Sequence, residues 1–426
     1  MPTSRRRFLQ AAGGALAVTG LSQLALPQQA TRYGRVLAHE TPRKLALLVG
    51  INDYPSVGRY TSLQGCLTDL DLQRELLISR FRFSPDDICV LSDETADPPS
   101  RANIIRAFEE HLIAQARPND VVVFHFSGHG SRVLDPRPRH DDDFNSAFVP
   151  ADAVFDEAGV NHIMGRTLFL LMKRLQTENV TVVLDSCYAG GGTRGNARIR
   201  SVWDGTLYRP GPAELEYQSR WLRDLRIDRD RFQQLRDTGV AKGVVIAAAQ
   251  KHQEALDVGF DGFYAGAFTF LLTQYLWQQT DSALGTVAHI SCDMKDLSGQ
   301  VPLLEVSPNQ TDTPTETYFV PQAEQVPPAE AVITAVEGDR ARVWLGGIHH
   351  ESLATFAPGA SFRLGGGGED DGEALELLSR QGLRGVVALP RSLPAGTPLR
   401  EATRTIPPDL TLRIGIDPTF RRLPKD

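Results

Sequence analysis

The chain has 426 residues, 41% of them hydrophobic and 23% charged, with ten histidines and four cysteines. That length and apolar content can bury a full core and suits two domains, and it excludes a disordered chain, a coiled coil or a repeat array. The formal net charge of −7 becomes −12 once residues 1–38 are set aside, because they hold five arginines and no acid, leaving 40 basic against 52 acidic groups. Nucleic acid and anionic membrane surfaces are therefore not expected partners.

The first 38 residues read as an address. Ser4-Arg-Arg-Arg-Phe-Leu-Gln10 resembles a twin-arginine signal, and a mildly apolar run over 11–26 follows it. That run is too short and too rich in Gly and Ala for a membrane anchor. Cleavage is expected after Ala38, with Ala30 as a second candidate. Export to the periplasm or an equivalent extracytoplasmic compartment is expected, with no membrane attachment afterwards.

Lys44-Leu-Ala-Leu-Leu-Val-Gly-Ile51 reads as a first buried strand ending at Asn52-Asp53-Tyr54-Pro55. A helix is predicted over 62–79, with Leu63, Leu67, Leu70 and Leu77 at helical spacing. Cys66 and Asp69 fall near its start, where the helix dipole favours a carboxylate. Ile88-Cys-Val-Leu91 is a second strand, and Ser100 caps a helix running to about residue 116.

The third strand, Asp120-Val-Val-Val-Phe-His-Phe-Ser-Gly-His-Gly130, ends in His129 between two glycines. A helix near 165–176 precedes the fourth, Val-Thr-Val-Val-Leu-Asp-Ser-Cys-Tyr-Ala-Gly (180–190), which ends at Cys187. Open α/β sheets place ligands at the carboxyl ends of their strands, so a His and a Cys are delivered to one such edge. A thiol needs a neighbouring base to act as a nucleophile near neutral pH, and His129 supplies one.

These two motifs, 58 residues apart in the order His then Cys, resemble the caspase superfamily and, within it, the bacterial metacaspase-like proteins (orthocaspases). The resemblance spans about residues 44–318. Animal caspases carry Gln-Ala-Cys at the nucleophile; Asp185-Ser186-Cys187 resembles metacaspases. It implies an α/β fold, a mainly parallel sheet flanked by helices, which strand–helix alternation independently suggests. It also implies a cysteine endopeptidase with His129 and Cys187 as catalytic dyad. The backbone N–H groups of Gly130 and Cys187 would bind the oxyanion. Cys66, Asp69, Ser127 and Asp185 would line a pocket for Arg or Lys before the cut, in keeping with the affinity of carboxylates for guanidinium. Metacaspases that need calcium carry an acidic cluster after a Val-Pro-x-Asp element and an Asp seven residues beyond the Cys. Here those regions read Ala153-Val-Phe-Asp-Glu-Ala-Gly-Val-Asn161 and Arg194, so no metal, no cofactor and no calcium dependence is expected.

Residues 193–239 hold ten arginines and no lysine. They read as a long exposed insertion with one amphipathic helix carrying Trp221, Leu225, Phe232 and Leu235. Such a segment is a candidate for self-cleavage, at Arg194, Arg198, Arg200 or Arg209. Lys242-Gly-Val-Val-Ile-Ala-Ala-Ala249 is a further strand, and Asp261 to Leu272 opens a helix. Residues 318–328 read as a proline-marked linker to a small β-rich domain over 329–426, with strands at Ala341-Arg-Val-Trp-Leu345, Ser361-Phe-Arg-Leu364 and Thr411-Leu-Arg-Ile414. His349 and His350, adjacent on a strand, would point apart and hold no metal.

The substrates implied are peptides or proteins containing basic residues, acted on by a monomer. Two other readings fit the same motifs: a catalytically silent caspase-like binding module, or a Cys-His hydrolase of another acyl substrate.

Overall fold

The computed structural model describes residues 42–405 apart from 56–61, 137–143, 157–158, 188–192, 195–196, 202–205, 207, 251–252, 280, 311–315 and 366–373. The signal-like segment and the strand expected at Thr411–Ile414 lie outside the described residues.

The central sheet is built from the apolar runs. It contains β1 (Lys44–Gly50), β2 (Ile88–Ser92), β3 (Val121–Ser127), β9 (Val180–Asp185), β12 (Val244–Ala247) and β15 (Leu303–Val306), in the spatial order β15-β12-β9-β3-β1-β2. Five strands are parallel and β15 closes one edge antiparallel. Alternation along each strand feeds two cores. Ala46, Leu48, Val123 and Val183 face one side, while Leu45, Leu47, Val122 and Val182 face the other.

The first core is roofed by α1 (Cys66–Ser79), α6 (Ala267–Gln278) and α7 (Ala283–Leu297). The second is covered by α2 (Arg101–Ala107, capped by Ser100 and continued by a π turn to Ile113), α3 (Gly165–Arg174), α4 (Pro212–Asp224) and α5 (Arg229–Asp237). Smaller pairs complete the domain: β4 (Gly130–Leu134) with β5 (Phe144–Phe148) and β8 (Ile163–Met164), β6 (Phe155–Asp156) with β7 (Gly159–Val160), and β10 (Thr193–Arg194) with β11 (Ala197–Ile199), β13 (Leu256–Gly259) and β14 (Tyr264–Gly266).

Three expectations are corrected. The arginine-rich insertion forms two helices, not one, and is not simply exposed: Trp221 and Phe232 are buried in the second core, and Glu214 at the start of α4 is buried against Arg101 at 2.5 Å. Apolar residues at helical spacing found a sheet face to cover. The segment after residue 318 is not a slack linker, because Tyr318 and Val320 are buried and the Tyr318 hydroxyl donates to Gln73 Oε1 at 2.8 Å. His349 and His350 do not point apart on a strand. They sit at the start of a 3-10 turn, His350–Thr355, with ring centroids 4.4 Å apart.

The last strands, β16 (Ala331–Glu337), β17 (Arg340–Trp344), β18 (Ser361–Leu364), β19 (Leu375–Gln381), β20 (Arg384–Ala388) and β21 (Pro398–Thr403), form a closed antiparallel barrel. Its interior is continuous with the first core of the central sheet. The barrel braces the β13–β14 turn: Arg380 pairs with the Asp261 carboxylate, and its Nε donates to the Phe356 carbonyl at 2.8 Å. Arg384 reaches Asp71 on α1 at 2.5 Å.

Candidate active site

Strands β3 and β9 are in parallel register, with Ser127 opposite Asp185 at their carboxyl ends. His129 and Cys187 each follow two residues later, so one sheet edge carries both, and both are buried. Tyr54, in the loop that follows β1, holds the histidine segment. Its hydroxyl accepts from the His129 backbone N–H at 2.7 Å, and the two ring centroids are 4.8 Å apart. Residue 128 must be glycine for this approach, since a Cβ there would lie 2.6 Å from the Tyr54 hydroxyl. The Cys187 thiol lies 3.8 Å from the Ala255 carbonyl.

Two backbone donors converge in front of Cys187. The N–H groups of Gly130 and Cys187 both donate to the carbonyl oxygen of Arg200, at 3.0 and 3.1 Å. This is the pair named above for the oxyanion, and the oxygen they hold belongs to the chain itself.

The Arg200 side chain fills an acidic pocket and is 0% exposed. Its guanidinium lies 2.8 Å from Asp69, 3.2 Å from Asp185 and 3.2 Å from Asp257, and donates to Ser127 Oγ at 2.6 Å. Each carboxylate is fixed from behind. Asp69 accepts from Ser127 Oγ (2.6 Å) and from the Gly266 N–H (2.9 Å). Asp185 accepts from the N–H and hydroxyl of Thr269 at 3.0 and 2.6 Å, and Asp257 from the Gln64 N–H at 2.7 Å. Gly266 is required here too: a Cβ would sit 2.1 Å from Asp185 Oδ2. Cys66 is buried at the start of α1, its N–H donating to Asn52 Oδ1 at 3.0 Å.

The electrostatics follow from three buried acids around one base. Burial alone would lower the pKa of Arg200, but Asp185, Asp69 and Asp257 hold it well above its ordinary value. Burial pushes Asp69 up to about 7, a rise that the Arg200 guanidinium opposes and Asp185 adds to. Burial likewise pushes the Cys66 thiol up, so it is a neutral wall of the pocket and not a second nucleophile.

The pocket thus brings together Cys66, Asp69, Ser127 and Asp185. Of the arginines singled out above whose side chains are described, Arg200 is the one placed in it. Arg198 donates to the Ser62 carbonyl, Arg209 is exposed with its carbonyl accepting from the Val160 N–H at 2.9 Å, and Arg194 lies on the short strand β10. Sequence reading missed Asp257, Tyr54 and Thr269. An acid within the apolar run Ala255-Leu-Asp-Val258 was the available signal for the first; nothing local marked the other two.

Comparison with known proteins agrees with this architecture. Residues 44–193 match the family described as metacaspase, peptidase C14 domain. The chain is 27% identical to Metacaspase-1 of Kluyveromyces lactis over 303 residues, covering 64% of this chain and 68% of that protein. Metacaspase-1 of Meyerozyma guilliermondii is 36% identical over 159 residues, 36% of this chain and 37% of that one. Metacaspase-1B of Aspergillus fumigatus is 35% identical over 155 residues, 35% and 36% of the two chains. The chain therefore spans about two thirds of the first of these relatives and little more than a third of the other two. Residues 44–193 thus match the metacaspase peptidase C14 domain, and over this region the chain is similar to the metacaspases.

Proposed function

We propose that the protein is an exported cysteine endopeptidase that cuts after arginine or lysine, and that its first substrate is its own Arg200–Ser201 bond. The observation that carries this reading is the seating of Arg200, with its side chain among three carboxylates and its carbonyl oxygen on the two N–H groups beside Cys187. A substrate poised for acyl transfer presents the same two features.

In this mechanism the Cys187 sulfur attacks the Arg200 carbonyl carbon, and His129 takes the thiol proton. The oxygen gains negative charge against the Gly130 and Cys187 N–H groups, worth roughly 3–4 kcal/mol per donor in comparable sites. The C–N bond then breaks, and His129 returns the proton to the amine of Ser201. Water, deprotonated by the same imidazole, attacks the thioester carbonyl; the C–S bond breaks, Cys187 sulfur regains its proton from His129, and the new carboxyl group of Arg200 ionises in water. The halves stay together because β9 and β12, on either side of the cut, are neighbours in one sheet.

Mass spectrometry of the purified chain tests this. Fragments ending at Arg200 and beginning at Ser201 are expected from wild type and not from Cys187→Ala. A wild-type chain that stays intact, or a mutant cut identically, overturns the reading.

Other parts of the proposal rest on sequence. Activity on basic peptides or proteins is expected from a monomer, without nucleic acid or membrane. It should persist in excess chelator, since Arg194 opposes a cation at the position where calcium-dependent relatives carry an acid. Export should stop when Arg5 and Arg6 are both changed to Lys.

A further inference from the structure

The arm that delivers Arg200 also presents the residues before it. Strand β11 pairs antiparallel with β13, Arg198 opposite Asp257 and Ile199 opposite Leu256. The Arg200 N–H continues the pairing by donating to the Ala255 carbonyl at 2.9 Å. The bound arm is therefore an added strand on the β13–β14 hairpin, the arrangement in which alternate side chains enter different sites.

The two residues that precede Arg200 differ sharply. Ile199 is only 6% exposed and belongs to the same core cluster as Cys187, Ala255 and Leu256. Arg198 is half-buried along a groove of about 910 Å³ shared with Gln64, Tyr264 and Lys295. Among the described residues that groove has no carboxylate in its lining, and Arg198 donates there to the Ser62 carbonyl, while Asp257 is engaged by Arg200.

Resting on the reading of Arg200–Ser201 as the scissile bond, we propose that the substrates are extended segments bearing an aliphatic, preferably β-branched residue immediately before the basic one. The position before that is nearly free of selection. Selectivity thus comes from two adjacent sites, one ionic and one apolar, and the hairpin supplies a wall to each through Asp257 and Leu256.

The test uses the full chain with fluorogenic peptides of sequence Ala-Arg-Ile-Arg, together with the matching variants of the chain's own arm. Replacing Ile by Val should change kcat/KM by less than about 3-fold, and replacing it by Asp should lower it at least about 30-fold, as expected for losing a buried aliphatic contact and burying a charge. Replacing the first Arg of the peptide by Ala should cost less than about 3-fold. In the chain itself, Ile199→Asp should slow appearance of the Ser201 fragment while Ile199→Val does not. An Asp-containing peptide turned over as fast as the Ile peptide overturns the inference and leaves the arginine specificity standing. If the tethered arm keeps peptides out while self-cleavage proceeds, the chain variants decide: Ile199→Asp cutting as fast as Ile199→Val overturns it. Absence of any cleavage after arginine, in peptide or chain, removes the underlying reading and the inference with it.

Discussion

The two halves of the arginine-rich stretch both carry several arginines and have opposite fates. In the first, Arg200 is wholly buried among three acids and its carbonyl lies on two N–H donors. In the second, Arg236 on α5 is also buried, paired with Asp135 at 3.4 Å beside Arg166, which holds the same acid at 2.6 Å. Arg220 on α4 is 51% exposed, near Glu109 and the rings of Tyr217 and Trp221. A buried, ion-paired guanidinium is common to Arg200 and Arg236, so that feature does not mark a cleavage site. What separates them is the backbone: Arg236 is locked in a helix that covers the sheet, whereas Arg200 lies on an extended arm whose carbonyl faces Cys187.

The strongest way to break this contrast is to remove the chemistry. Cys187→Ala or His129→Ala should abolish cutting after Arg200 and turnover of arginyl peptides, by at least about 10³-fold, with the fold retained. Fragment analysis and circular dichroism together check this, and wild-type-like cutting in either variant refutes the dyad. Next in size is the pocket. Asp185→Asn removes one partner of a buried charge cluster, a loss of roughly 3–5 kcal/mol, or about 10²- to 5 × 10³-fold in kcat/KM for arginyl substrates. A native preference for Asp before the cut would show that the acids serve another purpose.

The second half should respond in stability and not in cleavage. Arg236→Ala is expected to cost about 1–3 kcal/mol, read as a lower denaturant midpoint, because Asp135 keeps Arg166 but loses the Arg236 guanidinium. The Ser201 fragment should still form at a near-normal rate. Arg220→Ala should change stability by less than about 1 kcal/mol, as for other exposed pairs. Arg236→Ala blocking the cut without loss of stability would erase the distinction between the halves.

A separate effect, on stability and not on cleavage, is expected from acid. His162 is buried beside Tyr208, with its Nδ1 2.6 Å from Ser131 Oγ, and burial lowers its pKa to about 3. The unfolded chain would protonate it near 6.5 and the folded chain would not. Its neutral form therefore favours the fold above pH 6.5, and that contribution is lost as pH falls from 6.5 towards 3. His162→Gln should flatten the stability profile in that window; an unchanged slope would exclude this histidine as the cause.

Much of the frame was legible in the sequence because continuous, often β-branched apolar runs of four to seven residues, bounded by turn residues, favour doubly covered strands. The runs that became β1, β3, β9 and β12 needed no tertiary information, and neither did the placing of His129 and Cys187 just beyond two of them. The acids Asp69 and Asp185 were reached through the family resemblance, not through periodicity. The barrel was foreshadowed by short alternating runs, but its closure and its grip on Asp261 were not, since both depend on which strands meet.

Asp257, Tyr54 and the choice of Arg200 among ten arginines were decided only by the fold. Each is defined by a contact across a long stretch of chain: Arg200 to Asp257 across 57 residues, Tyr54 to His129 across 75. The sequence determined which residues are able to bind a guanidinium or attack a carbonyl. Strand register determined which meet, because a slip of one residue on β13 would turn Asp257 away from the pocket and bring Leu256 or Val258 into its place.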